Sequence, residues 1–270
     1  MSRIVGARSA SLPWASLHYT LHRLKSANAA LDGAPSTADK TEVAGLRADI
    51  AFYSGRYKEA ENTYRSLVNQ VGISSQYIRL ALLKSKMGSP GEAAAFLEAA
   101  EKRYHGVSAT KKAWMKLQRG LIALDRGRFD EALAMYKLAT DELPGWWLID
   151  EHIAEIKNLT GDKEAAKSLY ESVIRRTGSP EYMDALATIE FSEGNREGAR
   201  KLIQQARAIY EERLTHFPEA AAGHALTHFL QDADNPKRAL SLAQMNFNTR
   251  PYGDAAIALA RAWLLNGKAK

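Results

Sequence analysis

The 270-residue chain has no cysteine. That excludes disulfides, thiolate metal sites and a cysteine nucleophile, and it accords with a reducing cytoplasm, the expected location. No apolar stretch approaches the roughly 18 residues that cross a bilayer, and there is no apolar core of a signal peptide. Proline is scarce, with 8 residues, so long stretches are open to uninterrupted helix. The net charge is +6, yet Lys and Arg never run beyond two in a row, as in Lys111-Lys112 and Arg175-Arg176. Charge spread in this way marks solvated helix faces, so nucleic acid is not the expected partner. The first acid is Asp32. An acid-free start is a bias of transit peptides, but the plainer reading, adopted here, is a short tail followed by a helix. Catalytic signatures are missing as well: no G-x-S-x-G elbow, no G-x-x-x-x-G-K-[ST] loop and no G-x-G-x-x-G fingerprint.

What is present is repetition. "SGRYKEAENTY" at 54–64, "DRGRFDEALAMY" at 125–136, "TGDKEAAKSLY" at 160–170 and "EGNREGARKLI" at 193–203 share one pattern. Weaker copies are "MGSPGEAAAFL" at 87–97 and "DADNPKRALSLA" at 232–243. Gly55, Gly88, Gly127, Gly161, Gly194 and Gly267 punctuate the chain, with Asp234 in the sixth copy, at spacings of 33, 39, 34, 33, 40 and 33. A glycine there lets the backbone turn left-handed between two helices. Five residues later comes a small side chain: Ala60, Ala93, Ala132, Ala166, Ala199 and Ala239. Four further on stands a large apolar one: Tyr64, Leu97, Tyr136, Tyr170 and Ile203. The alanine admits a close helix approach, and the larger residue fills the space beside it.

This pattern resembles the tetratricopeptide repeat, a helix–turn–helix unit of about 34 residues. The third copy carries the full set, with Gly120, Ala132, Tyr136, Ala139 and Pro144. Ala48, Ala81, Ala154, Ala187 and Ala260 take the place of Gly120 in other copies. The family's first-helix tryptophan is missing throughout, and two copies carry five or six extra residues, expected in a loop or a longer second helix. The resemblance implies an all-α fold, a right-handed superhelical solenoid of helix–turn–helix units. Residues 1–40 are expected to form a tail and one capping helix from Trp14 to Leu31, and residues 41–270 an array of about six repeats plus a terminal helix. A threonine or aspartate in "LDGAPSTADKTE" is positioned to cap the first repeat helix. The last helix, with Leu264 and Leu265, lacks a following partner, which leaves self-association through it open.

His224 and His228 sit four residues apart and share a helix face, as zinc ligands often do. In the repeat frame both face the ligand groove. No H-E-x-x-H or E-x-x-H pattern accompanies them, and Asp232 is the one obvious extra ligand. We therefore expect no metal, no cofactor and no reaction centre; a metal or small-ligand site at His224 and His228 is the alternative, and a nucleic-acid-associated scaffold a further one. His152, beside Glu151 and Glu155, reads as surface charge.

The resemblance also implies where a ligand lies, along the first helix of each repeat. The expected groove is apolar in its middle, with Trp114, Leu117, Leu121 and Leu124 as a stripe. Acids outnumber bases along it: Glu42, Asp49, Asp125, Glu151, Glu155, Glu181, Asp184, Asp232 and Asp254 against Lys86 and Arg261. The Lys/Asn/Arg clamp with which many members hold chaperone C-termini is replaced by Gly45, Asp49, Ile78 and Leu82. The expected function is non-catalytic binding of a protein or peptide, basic or neutral with apolar anchors. The expected ligand-binding residues are Trp114, Leu117, Leu121, Glu151, Glu155, Asp184, His224 and His228.

Overall fold

The computed structural model describes residues 11–231 and 235–267. Asp232, Asp234 and the tail expected at residues 1–10 lie outside them. Fifteen helices and no strand occur among the described residues. They are α1 (Ser11–Thr20), α2 (Leu24–Asp32), α3 (Lys40–Tyr53), α4 (Tyr57–Gln70), α5 (Ser74–Lys86), α6 (Pro90–Lys102), α7 (Ala109–Leu124) and α8 (Phe129–Glu142). The series continues with α9 (Trp147–Leu159), α10 (Lys163–Thr177), α11 (Pro180–Ser192), α12 (Arg196–His216), α13 (Pro218–Gln231), α14 (Pro236–Thr249) and α15 (Gly253–Leu265).

The punctuation works as its chemistry requires. All six repeat glycines have positive φ, from 65° at Gly267 to 89° at Gly161. Each of the six repeat alanines is fully buried, and Tyr64, Leu97, Tyr136 and Tyr170 are buried beside them. Gly120 shows why a small residue is needed opposite: a Cβ there would stand 2.2 Å from Cε1 of Tyr136. Ala48, Ala81, Ala154 and Ala187 are buried in the equivalent places, whereas Ala260 is exposed, because no described helix follows α15 to cover it. The two insertions take different forms: one is the connection between α6 and α7, the other lengthens α12 to 21 residues. Asp39 caps α3, its carboxylate accepting from the Thr41 and Glu42 amides at 2.8 and 3.2 Å.

The capping helix expected from Trp14 to Leu31 is instead two helices. His22 adopts φ 59° and breaks the run between α1 and α2, where neither glycine nor proline marks a turn. The hairpin then buries Ala15, Leu24, Ala27 and Leu31 against Leu46 and Ile50 of α3.

The chain divides into two compact units: residues 71–208, and residues 1–70 together with 209–270. In the second of these the first and last segments of the chain meet. The Arg23 guanidinium donates to both Glu219 carboxylate oxygens at 3.3 Å, and His22 Nδ1 lies 3.1 Å from the Glu219 carbonyl oxygen. The Gly253 amide donates to the Tyr57 hydroxyl at 2.6 Å. Arg250 lies over the rings of Tyr53 and Tyr252, which pack edge to face at 5.1 Å. On α15, Ile257, Trp263, Leu264 and Leu265 are exposed.

Candidate functional site

Within residues 71–208 the first helices of three repeats, α7, α9 and α11, carry most of the expected ligand residues. A core cluster of Ala113 and Leu117 from α7, Tyr136 and Ala139 from α8, and Ile149 and Ile156 from α9 locks the first pair of repeats. Ala154, Ala166, Tyr170, Leu186 and Ile189 lock α9, α10 and α11 in the same way. These clusters decide which side of each helix remains accessible.

On α7 they alter the expected stripe. Leu117 is fully buried and Leu124 nearly so; both belong to the core rather than to a ligand surface. The partly accessible face runs through Trp114, Gln118, Leu121 and Asp125, spaced three or four residues apart. Trp114 and Leu121 are half-buried, and Leu121 packs on the core cluster from its edge. On α11, Asp184 is half-buried and Thr188 and Phe191 follow it on one face, Phe191 being 61% exposed with Arg196 over its ring. Leu159, at the end of α9, is 57% exposed. Trp146 packs on the core cluster and Trp147 meets Tyr182 at 5.8 Å.

The acids of α9 come together through a histidine. Glu151 lies 3.2 Å from His152 Nε2, and Glu155 3.4 Å from His152 Nδ1. His152, expected to be surface charge, is only 16% exposed in its side chain and stacks on Tyr136 at 5.9 Å. Burial pushes the Glu151 carboxyl up to about 7; His152 pulls against the rise and the Glu155 charge adds to it. The hydroxyls of Tyr136 and Tyr170 are pushed up as well, by burial first and then by the charges of Glu155 and Glu151. Tyr182 is raised by burial, then by Glu151 and Glu181. The corner is thus acid-rich and partly desolvated, with the Tyr136 ring stacked on its imidazole. Its sequence signal was local and available: Glu-His-x-x-Glu places both carboxylates one turn apart with an imidazole between.

His224 and His228 do not form a shared ligand face. His224 is exposed, whereas His228 is fully buried between the rings of Tyr210 at 5.2 Å and Phe229 at 5.0 Å. The repeat frame assigned both to the groove; packing against α12 turned His228 into the core. In the same unit a cavity of 830 Å³ opens between the α1–α2 hairpin and α14, lined by His18, Arg23, Lys25, Glu219, Gln244 and Asn248 among others. No described helix is long and apolar enough to cross a membrane.

A family model for the tetratricopeptide repeat matches residues 181–218, which span α11 and α12. The apo form of the quorum sensor NprR from B. thuringiensis is similar in structure at a TM-score of 0.61 and 14% identity, covering 95% of this chain and 86% of that one. Residues 181–218 carry a tetratricopeptide repeat, and the fold is that of tetratricopeptide-repeat solenoids. Its repeat architecture is shared by PilW, a type IV pilus biogenesis factor, at a TM-score of 0.60 and 17% identity over 74% of this chain and 92% of that one. The Rap conjugation gene regulator of plasmid pLS20, in complex with the Phr* peptide, is similar at a TM-score of 0.57 and 14% identity, over 84% of this chain and 74% of that one. At these identities the likeness is one of fold. No curated protein matches the chain significantly in sequence.

Proposed function

We propose that this protein is a non-catalytic scaffold that binds a protein or peptide segment along α7, α9 and α11. The ligand is basic or neutral and carries large apolar anchors. The pairing of acids supports this reading. Elsewhere in the same unit, several carboxylates are matched by cations: Glu142 by Lys116, Glu101 by Arg119, Asp150 by Arg176, and Glu190 and Glu193 by Lys167. Glu151 and Glu155 pair with His152 alone among the described residues. Two carboxylates at a partly dry surface without a lysine or arginine favour an incoming cation. Leu159, Phe191, Trp114 and Leu121 offer apolar contact nearby in the sequence order of the same helices, and buried aromatic contacts dominate binding hot spots. The similar Rap regulator is in complex with a peptide, which supports a peptide ligand for this architecture. Fold alone does not assign function, so the site must carry the argument.

Selection from a displayed library of short peptides tests the reading. Enriched sequences should combine Lys or Arg with a large apolar residue, and their retention should fall when Glu155 is changed to Lys. Enrichment of acidic sequences, or retention unaffected by Glu155→Lys, would overturn it.

A further inference from the structure

We propose that Glu151, His152 and Glu155 form a binding site for a divalent first-row transition metal of the zinc class. The three side chains each present one ligand atom, and these atoms lie within 4.8 Å of one another. Tetrahedral zinc with bonds of about 2.0–2.1 Å separates its ligands by about 3.3 Å. Each contact of His152 with a carboxylate, 3.2 Å from Nε2 to Glu151 and 3.4 Å from Nδ1 to Glu155, is near that spacing, on opposite ring nitrogens. Closing the set requires that both carboxylates face one imidazole nitrogen, a rotation of the glutamate side chains while the ring stays stacked on Tyr136.

A second observation stands apart from the cluster. Tyr136 is fully buried, its ring lies nearly parallel to that of His152, and its hydroxyl has no hydrogen-bond partner among the described residues. The hydroxyl is close enough to feel the charges of Glu155 and Glu151. A buried hydroxyl left unmatched is costly and calls for an explanation. A cation held by the three side chains supplies one, through direct coordination or through a metal-bound water. The stack with Tyr136 also fixes the imidazole plane, as outer-shell contacts do for metal-ligating histidines.

The donor set selects the metal class. Calcium takes six to eight oxygens, and this corner provides two carboxylates. An imidazole favours zinc, nickel, copper or iron over magnesium and calcium. Lys and Arg are absent from the cluster's partners among the described residues, so no fixed charge competes with the ion. The inference does not depend on the peptide reading; it concerns the cation the corner takes when no ligand is bound.

The test is calorimetric titration of Zn²⁺ into the full chain after removal of metals with EDTA, with Co²⁺ absorption as a second readout. One equivalent should bind, with a visible Co²⁺ spectrum of low coordination number. His152→Asn and Glu155→Gln should each weaken Zn²⁺ by at least about tenfold, while His224→Asn leaves it unchanged. Glu155 is 43% exposed, so Glu155→Gln keeps the test valid if His152→Asn disturbs folding. No Zn²⁺ binding, wild-type binding by both variants, or displacement of Zn²⁺ by equimolar Ca²⁺ would overturn the site. Peptide selection repeated in EDTA decides the scaffold reading separately.

Discussion

The Tyr57 hydroxyl accepts a hydrogen bond at 2.6 Å from the backbone amide of Gly253, 196 residues further along the chain. That amide is one of the free donors at the start of α15. Tyr57→Phe removes the acceptor and keeps the ring. Because the contact is exposed, we expect a cost near the lower end of the usual range, about 0.5 kcal/mol by chemical denaturation. Hydrogen exchange at the start of α15 should quicken, and unchanged protection there would show that the bond does not hold the helix.

Two glycines with the same backbone conformation should respond differently to alanine. Gly55 and Gly161 have φ of 77° and 89°, so each substitution carries the left-handed penalty of about 1–2 kcal/mol. At Gly161 a Cβ meets nothing within 4 Å, whereas at Gly55 it would stand 2.8 Å from the Pro251 carbonyl oxygen. Backbone on both sides cannot give way easily. Gly55→Ala should therefore be the more destabilising of the two in urea, and equal midpoints would remove the close approach of these turns.

The core of the third repeat predicts a second contrast. Ala132 is fully buried, and Gly120 faces the Tyr136 ring edge. Ala132→Leu and Gly120→Ala should each cost roughly 1–3 kcal/mol through overpacking. Gly91→Ala, where a Cβ meets nothing and φ is ordinary, should stay within about 0.5 kcal/mol of wild type. Denaturation midpoints compared across the three variants decide whether close helix packing is the cause.

Acid should loosen the contact between the α1–α2 turn and α13. Burial, then the Arg250 charge, holds the His22 imidazole down at about 4, with the hydrogen bond to the Glu219 carbonyl opposing the shift and His224 adding to it. Between pH 6.5 and 4 the unfolded chain therefore binds more protons at this residue than the folded one. The stability this group contributes is complete above about pH 6.5 and is lost as pH falls towards 4. His22→Asn tolerates the positive φ and removes the titration. Its stability should fall less steeply than wild type over that interval, and parallel curves would refute the assignment.

With a ligand in hand, two substitutions separate anchor from charge. Trp114→Ala should weaken binding by more than about 1 kcal/mol, mainly through faster dissociation. Glu155→Lys should slow association and blunt its salt dependence, with less effect on dissociation. Kinetics by surface-immobilised ligand would show both; a Trp114→Ala variant that dissociates like wild type places the anchor elsewhere.

The helical hairpins were legible in the amino-acid order because each is built from contacts within about 34 residues. A glycine closing one helix, an alanine five residues on and a tyrosine after it interact inside one hairpin or with the next, so their spacing carries the whole message. Gly120 with Tyr136, and the capping of α3 by Asp39, are of this kind. Which face of a helix stays open is decided differently. Leu117 and Gln118 are neighbours in sequence, and the same pattern accommodates either one inward; the rotation of α7 against α8 and α9 buried the leucine. His228 went inward for the same reason, held between Tyr210 and Phe229, while His224 one turn earlier stayed out. The Glu151–His152–Glu155 corner was local in sequence, yet the tyrosines that feel its charges, Tyr136, Tyr170 and Tyr182, come from three other helices that no local pattern brings together. The break at His22 and the meeting of Tyr57 with Gly253 lie at the far end of this scale. A left-handed histidine and a contact across 196 residues are stable only once both partners are in place, and no periodicity in the chain encodes them.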